Sequence, residues 1–243
     1  RENDTIKTLK DKIELATILG TIQSCFTSFR GLSSHWRRNT EEERLLGVSL
    51  TGIMDNAMLS NKTDQDLPKI LDELRLHAVS VNKTWAHKLD IEPSAAITCV
   101  KPSGTVSQLV NSASGIHPRH NDYYIRTIRA DKKDPLTSFL IDQGFPYEDA
   151  SEKPNSMVVF SFPMKSPDNA ITRKEVSAIE HLNLWKIYAE HWCEHKPSIT
   201  VSVEENKWLE IASFVYNNFN AMSGVSFLPM TKHTYKQAPY QDV

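Results

Sequence analysis

The chain has 243 residues, 40% of them hydrophobic and 24% charged, an ordinary balance for a soluble protein with a sizeable core. Lys and Arg number 28 against 30 Asp and Glu, for a formal charge of −2, so no global basic excess points to nucleic acid. The 3 cysteines, Cys25, Cys99 and Cys193, lie far apart without a CxxC pair, which argues against a disulfide framework or a zinc ribbon and makes a reducing cytoplasm the expected location.

No run of about eighteen apolar residues offers a membrane span, and no basic start with an apolar centre reads as a signal peptide. The sequence opens on Arg1 rather than Met and closes at Val243 directly after a patterned segment, so a fragment of a longer protein is expected.

Asp4 to Phe29 reads as an amphipathic helix. Ile6, Leu9, Ile13, Ala16, Leu19, Ile22 and Phe26 fall at spacings of three and four, with Asp4 as the cap and Gly31 as the stop. Cys25 lies near that stripe and is expected in the core. His35 to Arg44 is polar and reads as a solvated helical turn. Leu45 to Ile53 is an apolar run suited to a buried strand, where Gly47 and Gly52 mark either close backbone approach or packing. Leu67 to Leu89 has the wide apolar stripe of a helix packed outside a parallel sheet, ended by Pro93.

Ile97 to Val100 is β-branched and short, and Lys101-Pro102-Ser103-Gly104-Thr105-Val106-Ser107 then turns the chain into a helix starting near Val106. A strand that turns into a helix aims free N–H groups at one point. Ser103, Thr105 and Ser107 add hydroxyls, Gly104 permits close approach, and Lys101 adds a charge. Such a turn can hold a phosphate, or it can be an ordinary turn capped by Ser or Thr; it lacks the residue order of a P-loop.

His117, Arg119 and His120 follow in a loop, either as further anion contacts or as plain surface residues, and no third ligand stands near them for zinc. Tyr123 to Arg129 alternates as a strand, Leu136 to Gln143 reads as a short helix, Tyr147 to Asn155 as a surface excursion, and Met157 to Phe162 as a strand. Arg173 to His195 reads as a long helix. His191, Cys193 and His195 at its end lack a metal motif and fit a cationic helix terminus. Ser198 to Val203 is a strand, Glu205 to Phe219 a helix, and Gly224 to Pro229 a last strand. Alternating helices and strands predict right-handed crossovers and a parallel sheet with ligands at the carboxyl ends of its strands.

The wording VKPSGTVSQLVNSASGIHPRH resembles the phosphate-binding segment of the cobalamin-dependent (class II) ribonucleoside triphosphate reductases. Two more blocks agree in the same order: NTEEERLLGVSLTGIMDN (Asn39 to Asn56) and GVSFLPMTKHTYKQAPY (Gly224 to Tyr240). The resemblance implies an α/β fold, the second half of a ten-stranded α/β barrel of parallel strands, with a small β-containing insertion at about 121–172.

It carries substrate-phosphate contacts onto Pro102, Ser103, Gly104, Thr105 and Val106, with Ser107 next, and leaves Lys101, His117 and Arg119 as further anion candidates. It implies adenosylcobalamin as cofactor, a ribonucleotide substrate, a thioredoxin-like dithiol reductant, and an N-terminal half of the barrel as partner. The finger-loop cysteine motif and the C-terminal cysteine pair of that family are absent from the sequence, so no catalytic residue is assigned and no turnover is expected of this chain alone. The related class I enzymes carry a tyrosine pair on the last barrel strand, where this sequence has Val225-Ser226-Phe227-Leu228, so the resemblance implies local radical delivery by the cofactor. Two other readings remain: a non-catalytic nucleotide- or phosphate-binding module, and an α/β domain without a ligand.

Overall fold

The computed structural model describes residues 1–230 and 236–243. Residues 231–235, inside the third of the blocks above, lie outside the described residues.

Helix α1 (Ile6–Gln23) starts at Thr5, whose side chain accepts from the Thr8 amide while Thr8 caps back; Asp4 supports this box from outside, accepting from Thr8 Oγ1 at 2.9 Å and Lys12 Nζ at 2.6 Å. Its buried face runs Leu9, Ile13, Thr17, Thr21 rather than down the full apolar stripe. One reason is its partner, α3 (Leu67–Lys88), which offers Asn82: the Asn82 amide donates to Thr21 Oγ1 and to Ser94 Oγ, both at 3.0 Å, so Thr21 is buried with a polar partner, whereas the buried Thr17 hydroxyl has none among the described residues. Leu19 and Phe26 are consequently exposed, and Cys25 is exposed too, which corrects its expected place in the core.

Helix α2 (Ser34–Glu43) is fully polar in its burial, as expected, and ends on Arg44 in the left-handed region. The run from Leu45 to Ile53 is extended but contributes only β1 (Val48–Ser49) to a ladder. Gly52, at φ +73°, turns it into a single 3-10 turn over Ile53–Asp55. Helix α3 stops at Lys88, before Pro93, with Asp90 at positive φ.

Strand β2 (Thr98–Cys99) pairs parallel with β1, and the four-residue α4 (Val106–Leu109) follows the turn. An antiparallel sheet comes next, ordered β4-β5-β3-β8, from β3 (Tyr123–Asp131), β4 (Tyr147–Asp149), β5 (Met157–Lys165) and β8 (Tyr240–Asp242), with α5 (Pro135–Asp142) between β3 and β4. The stretch read as a surface excursion therefore supplies an edge strand.

Helix α6 (Ala178–His191) is shorter than expected because the Ser177 and Glu180 capping box starts it, five residues past Arg173. Strand β6 (Ile199–Val203), α7 (Trp208–Asn217) and β7 (Val225–Pro229) form a strand-helix-strand unit whose strands pair parallel. The fold is thus α/β, with short parallel pairs and helices rather than one long sheet.

The core lies between α6, α3 and the parallel strands, centred on Trp185, Tyr188 and Trp192, each with no exposed surface. Their polar atoms are satisfied: the Tyr188 hydroxyl donates to the Leu59 carbonyl at 2.9 Å and Trp192 Nε1 to the Cys99 carbonyl at 2.8 Å. The second bond ties the helix directly to the strand that carries the turn. No helix among the described residues is long and apolar enough to cross a membrane.

Candidate functional site

The turn after β2 is held from three sides. Lys101 N donates to Ser49 Oγ at 3.1 Å, and Lys101 Nζ donates to the Lys196 carbonyl at 2.7 Å and Ser198 Oγ at 3.0 Å. The Ser103 amide donates to Ser114 Oγ at 2.8 Å. Gly115, at φ +57°, lets the returning chain pass close under Lys101, since a Cβ there would stand 2.8 Å from the Lys101 carbonyl oxygen.

Within the turn, donors divide into two sets. The Ser107 amide donates to Ser103 Oγ at 3.0 Å, and the buried Ser107 hydroxyl donates to the Ser103 carbonyl, so Ser103 and Ser107 cap each other. The amides of Gly104, Thr105 and Val106 donate to no acceptor among the described residues, and all three residues are exposed. Thr105 precedes α4 without making a side-chain cap. Both readings of the turn are therefore partly present: its flanks are capped internally, and three successive N–H groups at its crest are open. Ser103 Oγ keeps its proton for an outside acceptor.

Beside the turn opens a cavity of about 400 Å³, lined by Pro102 and Gln108, by the loop from Ser112 to His120, by the start of α6, and by Thr200, Ser202, Leu228 and Tyr240. His117 has both ring nitrogens engaged. Nε2 accepts from the Thr200 amide at 2.9 Å, which requires the proton on Nδ1, and Nδ1 donates it to the Ser114 carbonyl at 2.9 Å. Burial lowers the His117 pKa, against the opposing pull of the Ser114 carbonyl. A ring nitrogen thus stands where a main-chain acceptor would continue the ladder from β2, whose next carbonyl, Val100, accepts from Ser198 N at 3.1 Å.

His181 donates from Nε2 to the Ile116 carbonyl at 2.9 Å, and burial takes its pKa down to about 4. Arg119 lies under the loop, donating from Nε to Asp55 Oδ1 at 2.9 Å and from Nη2 to Asp55 Oδ2 at 2.8 Å, with both side chains almost wholly buried. At the far wall, Asp242 pairs with Arg173 at 2.9 Å and His120 at 3.1 Å, and Tyr240 is stacked on His120 and covered by the Arg126 guanidinium.

Of the turn, Pro102 lines the cavity and Gln108 follows it there, while residues 103–107 lie outside the lining; Lys101, His117 and Arg119 all have partners inside the protein. The Asp55 side of the Arg119 pair carried no sequence signal: Asp55 lies 64 positions away, two residues past the run read as a strand. Of the other histidines, His191 Nδ1 meets Asp72 at 2.9 Å and His195 Nε2 donates to the Leu46 carbonyl at 2.6 Å; no cluster of metal-ligating side chains occurs among the described residues.

No family model matches the chain. A Euglena gracilis protein named adenosylcobalamin-dependent ribonucleoside-triphosphate reductase is 27% identical over 221 residues, covering 87% of this chain and 30% of that protein. A Lactobacillus gasseri protein of the same name is 27% identical over 234 residues, covering 85% of this chain and 31% of that protein. The chain is homologous to these reductases. It spans about 30% of the length of the curated relatives it matches. A crystal structure of a B12-dependent (class II) ribonucleotide reductase matches the fold of this chain with a TM-score of 0.79 at 23% identity, over 97% of this chain and 36% of the other. The α subunit of an Actinobacillus ureae class Id ribonucleotide reductase matches with a TM-score of 0.59 at 14% identity, over 90% and 46%. These two likenesses concern the fold.

Proposed function

We propose that this chain supplies the substrate-phosphate site of a ribonucleotide reductase, which converts ribonucleotides to deoxyribonucleotides. The observation that carries this reading is the crest of the turn, where the amides of Gly104, Thr105 and Val106 meet no acceptor among the described residues, between Pro102 and Gln108, which line a cavity. Three N–H groups aimed outward from a tethered backbone suit the several oxygens of a phosphate chain. Holding that chain fixes the sugar in place, and catalysis by positioning loses rate steeply with small displacements. Lys101, His117 and Arg119 serve the site by shaping it, since each is already bonded within the protein.

Parallel pairing in β1 with β2 and in β6 with β7, together with likeness over 97% of the chain, supports reading it as the second half of a ten-stranded barrel, with residues 121–172 as an insertion. The N-terminal half and a thioredoxin-like reductant are the partners this implies. Adenosylcobalamin, part of the relatives' names, would supply the initiating radical when bound. The turn cavity does not fit it: about 400 Å³ is far smaller than a corrin with its nucleotide and adenosyl arms, and neither His117 nor His181 offers its Nε2 to a metal. Its contacts belong outside this cavity.

Two results test the reading. Replacing Ser103 and Thr105 together by alanine is expected to weaken binding of tripolyphosphate by about 1–3 kcal/mol, measured by calorimetry or amide shifts. Unchanged affinity would favour the plain capped turn. Incubating the polypeptide alone with a ribonucleotide, adenosylcobalamin and a dithiol is expected to yield no deoxyribonucleotide, because the Cys99 and Cys193 thiols are pushed upward by burial, the latter to about 12, and Cys25 lies exposed, away from the cavity lining. Product formation would overturn the expectation.

A further inference from the structure

We propose that the outward face of α1, together with Leu45 and Trp36, is the surface through which two copies of this chain associate as a symmetric dimer. That surface shares no residue with the lining of the turn cavity, so the inference stands apart from the reading of the turn.

The first argument is the pattern on α1. Its inner face, Leu9, Ile13, Thr17 and Thr21, is buried, and α3 packs against the helix. On the opposite side Leu15, Leu19, Ile22 and, just past the helix end, Phe26 recur at spacings of four, three and four, the repeat with which one helix seats on another. All four are exposed, Leu15 by 64%, Leu19 by 68% and Phe26 by 73%. From Leu15 to Phe29 the sequence holds no charged residue, so nothing along this stretch repels an identical stretch brought against it. The nearest charge, Glu14, lies 3.8 Å from His77 of α3.

The second argument is area. Past α1 the patch continues over Leu45 to Trp36, both more than half exposed. Leu45 borders two recesses, one of about 270 Å³ shared with Phe26 and one of about 360 Å³ shared with Trp36. These side chains therefore form one surface, with notches able to take a knob from another molecule. The exposed fractions of the six side chains amount to on the order of 700 Å² of apolar surface, more than the largest patch of a typical monomer and close to the ~800 Å² that each partner gives to a standard interface. A twofold axis brings the same patch of both copies together, covers both at once, and closes at two.

Sedimentation equilibrium of the full chain from about 1 to 100 µM tests this. The expected result is a reversible monomer-dimer equilibrium with no larger species. Leu19→Glu is expected to be monomeric over the same range with an unchanged circular-dichroism spectrum, since Leu19 lies outside the core. Trp36→Ala is expected to weaken the dimer about tenfold or more. Leu209→Glu, which puts the same charge on an exposed position of α7, is expected to dimerise as the unaltered chain does. A chain that stays monomeric at every concentration would overturn the inference and leave the face to a different polypeptide. Open-ended association, or equal loss of the dimer in Leu19→Glu and Leu209→Glu, would overturn it as well.

Discussion

Replacing Asp55 by alanine is expected to destabilise the chain by about 3–5 kcal/mol, the cost of leaving a buried guanidinium without its partner. Both groups are almost completely removed from solvent, at 4% and 2% side-chain exposure for Arg119 and Asp55, so water cannot replace what is lost. Asp55 also accepts from the Ala113 amide at 2.7 Å, and Arg119 donates from Nη2 to the Asn111 carbonyl at 2.9 Å, so one substitution strands several donors at once. Chemical denaturation measures the effect. The double variant Asp55→Leu, Arg119→Met is expected to recover much of the loss, because a buried pair removed as a unit leaves no orphan charge. A loss below about 1 kcal/mol in Asp55→Ala would mean that the pair behaves as a surface ion pair.

Stability is expected to fall as pH drops from about 6.5 toward 4, on the order of 3 kcal/mol from His181 alone. Burial lowers the folded-state pKa of His181 from 6.5 to about 4, with the Ile116 carbonyl opposing and neighbouring His117 adding to the shift. Between those values the unfolded chain binds a proton that the folded chain refuses. The stabilisation is therefore complete above the unfolded pKa and is lost as pH falls through the window. His117 shifts in the same direction, also chiefly through burial, and adds to the slope. Asp4, whose folded pKa is held at about 2 by Lys12, the N-terminus and Thr8 against the contrary push of burial, acts lower, below its unfolded value near 3.8. The two regions can thus be separated by denaturation at stepped pH. In His181→Gln the slope between pH 6.5 and 4 is expected to flatten; an unchanged slope would assign it to other groups.

Much of the α/β order was legible in the sequence, and the residues show why the remainder was not. The apolar periods of α3 and the alternation of β6 translate directly into buried faces, because each packs against apolar neighbours along its length. Helix α1 misleads, since the residue that decides its buried face, Asn82, sits 61 positions away from Thr21. The start of α6 was present in the sequence as Ser177 and Glu180, a capping box three residues apart, overlooked in favour of the longer apolar pattern. At the site, the wording from Pro102 to Ser107 located the turn, but residue type alone could not say which donors were open. Ser103 and Ser107 turn out to cap one another, while Gly104, Thr105 and Val106 do not. Lys101, His117 and Arg119 look like anion ligands by chemistry; what the structure adds is that internal acceptors and a carboxylate reach them first.

The imidazole of His117 joins two parts of the molecule that the main chain leaves separate. On one side of it stands the loop below the turn and on the other the first hydroxyl-bearing position of β6, bridged through Ser114 and Thr200. The width of the cleft between them is accordingly fixed by the span of one five-membered ring with a defined proton position. A seam of that kind can unzip by gaining a single proton, without any change in the strands on either side.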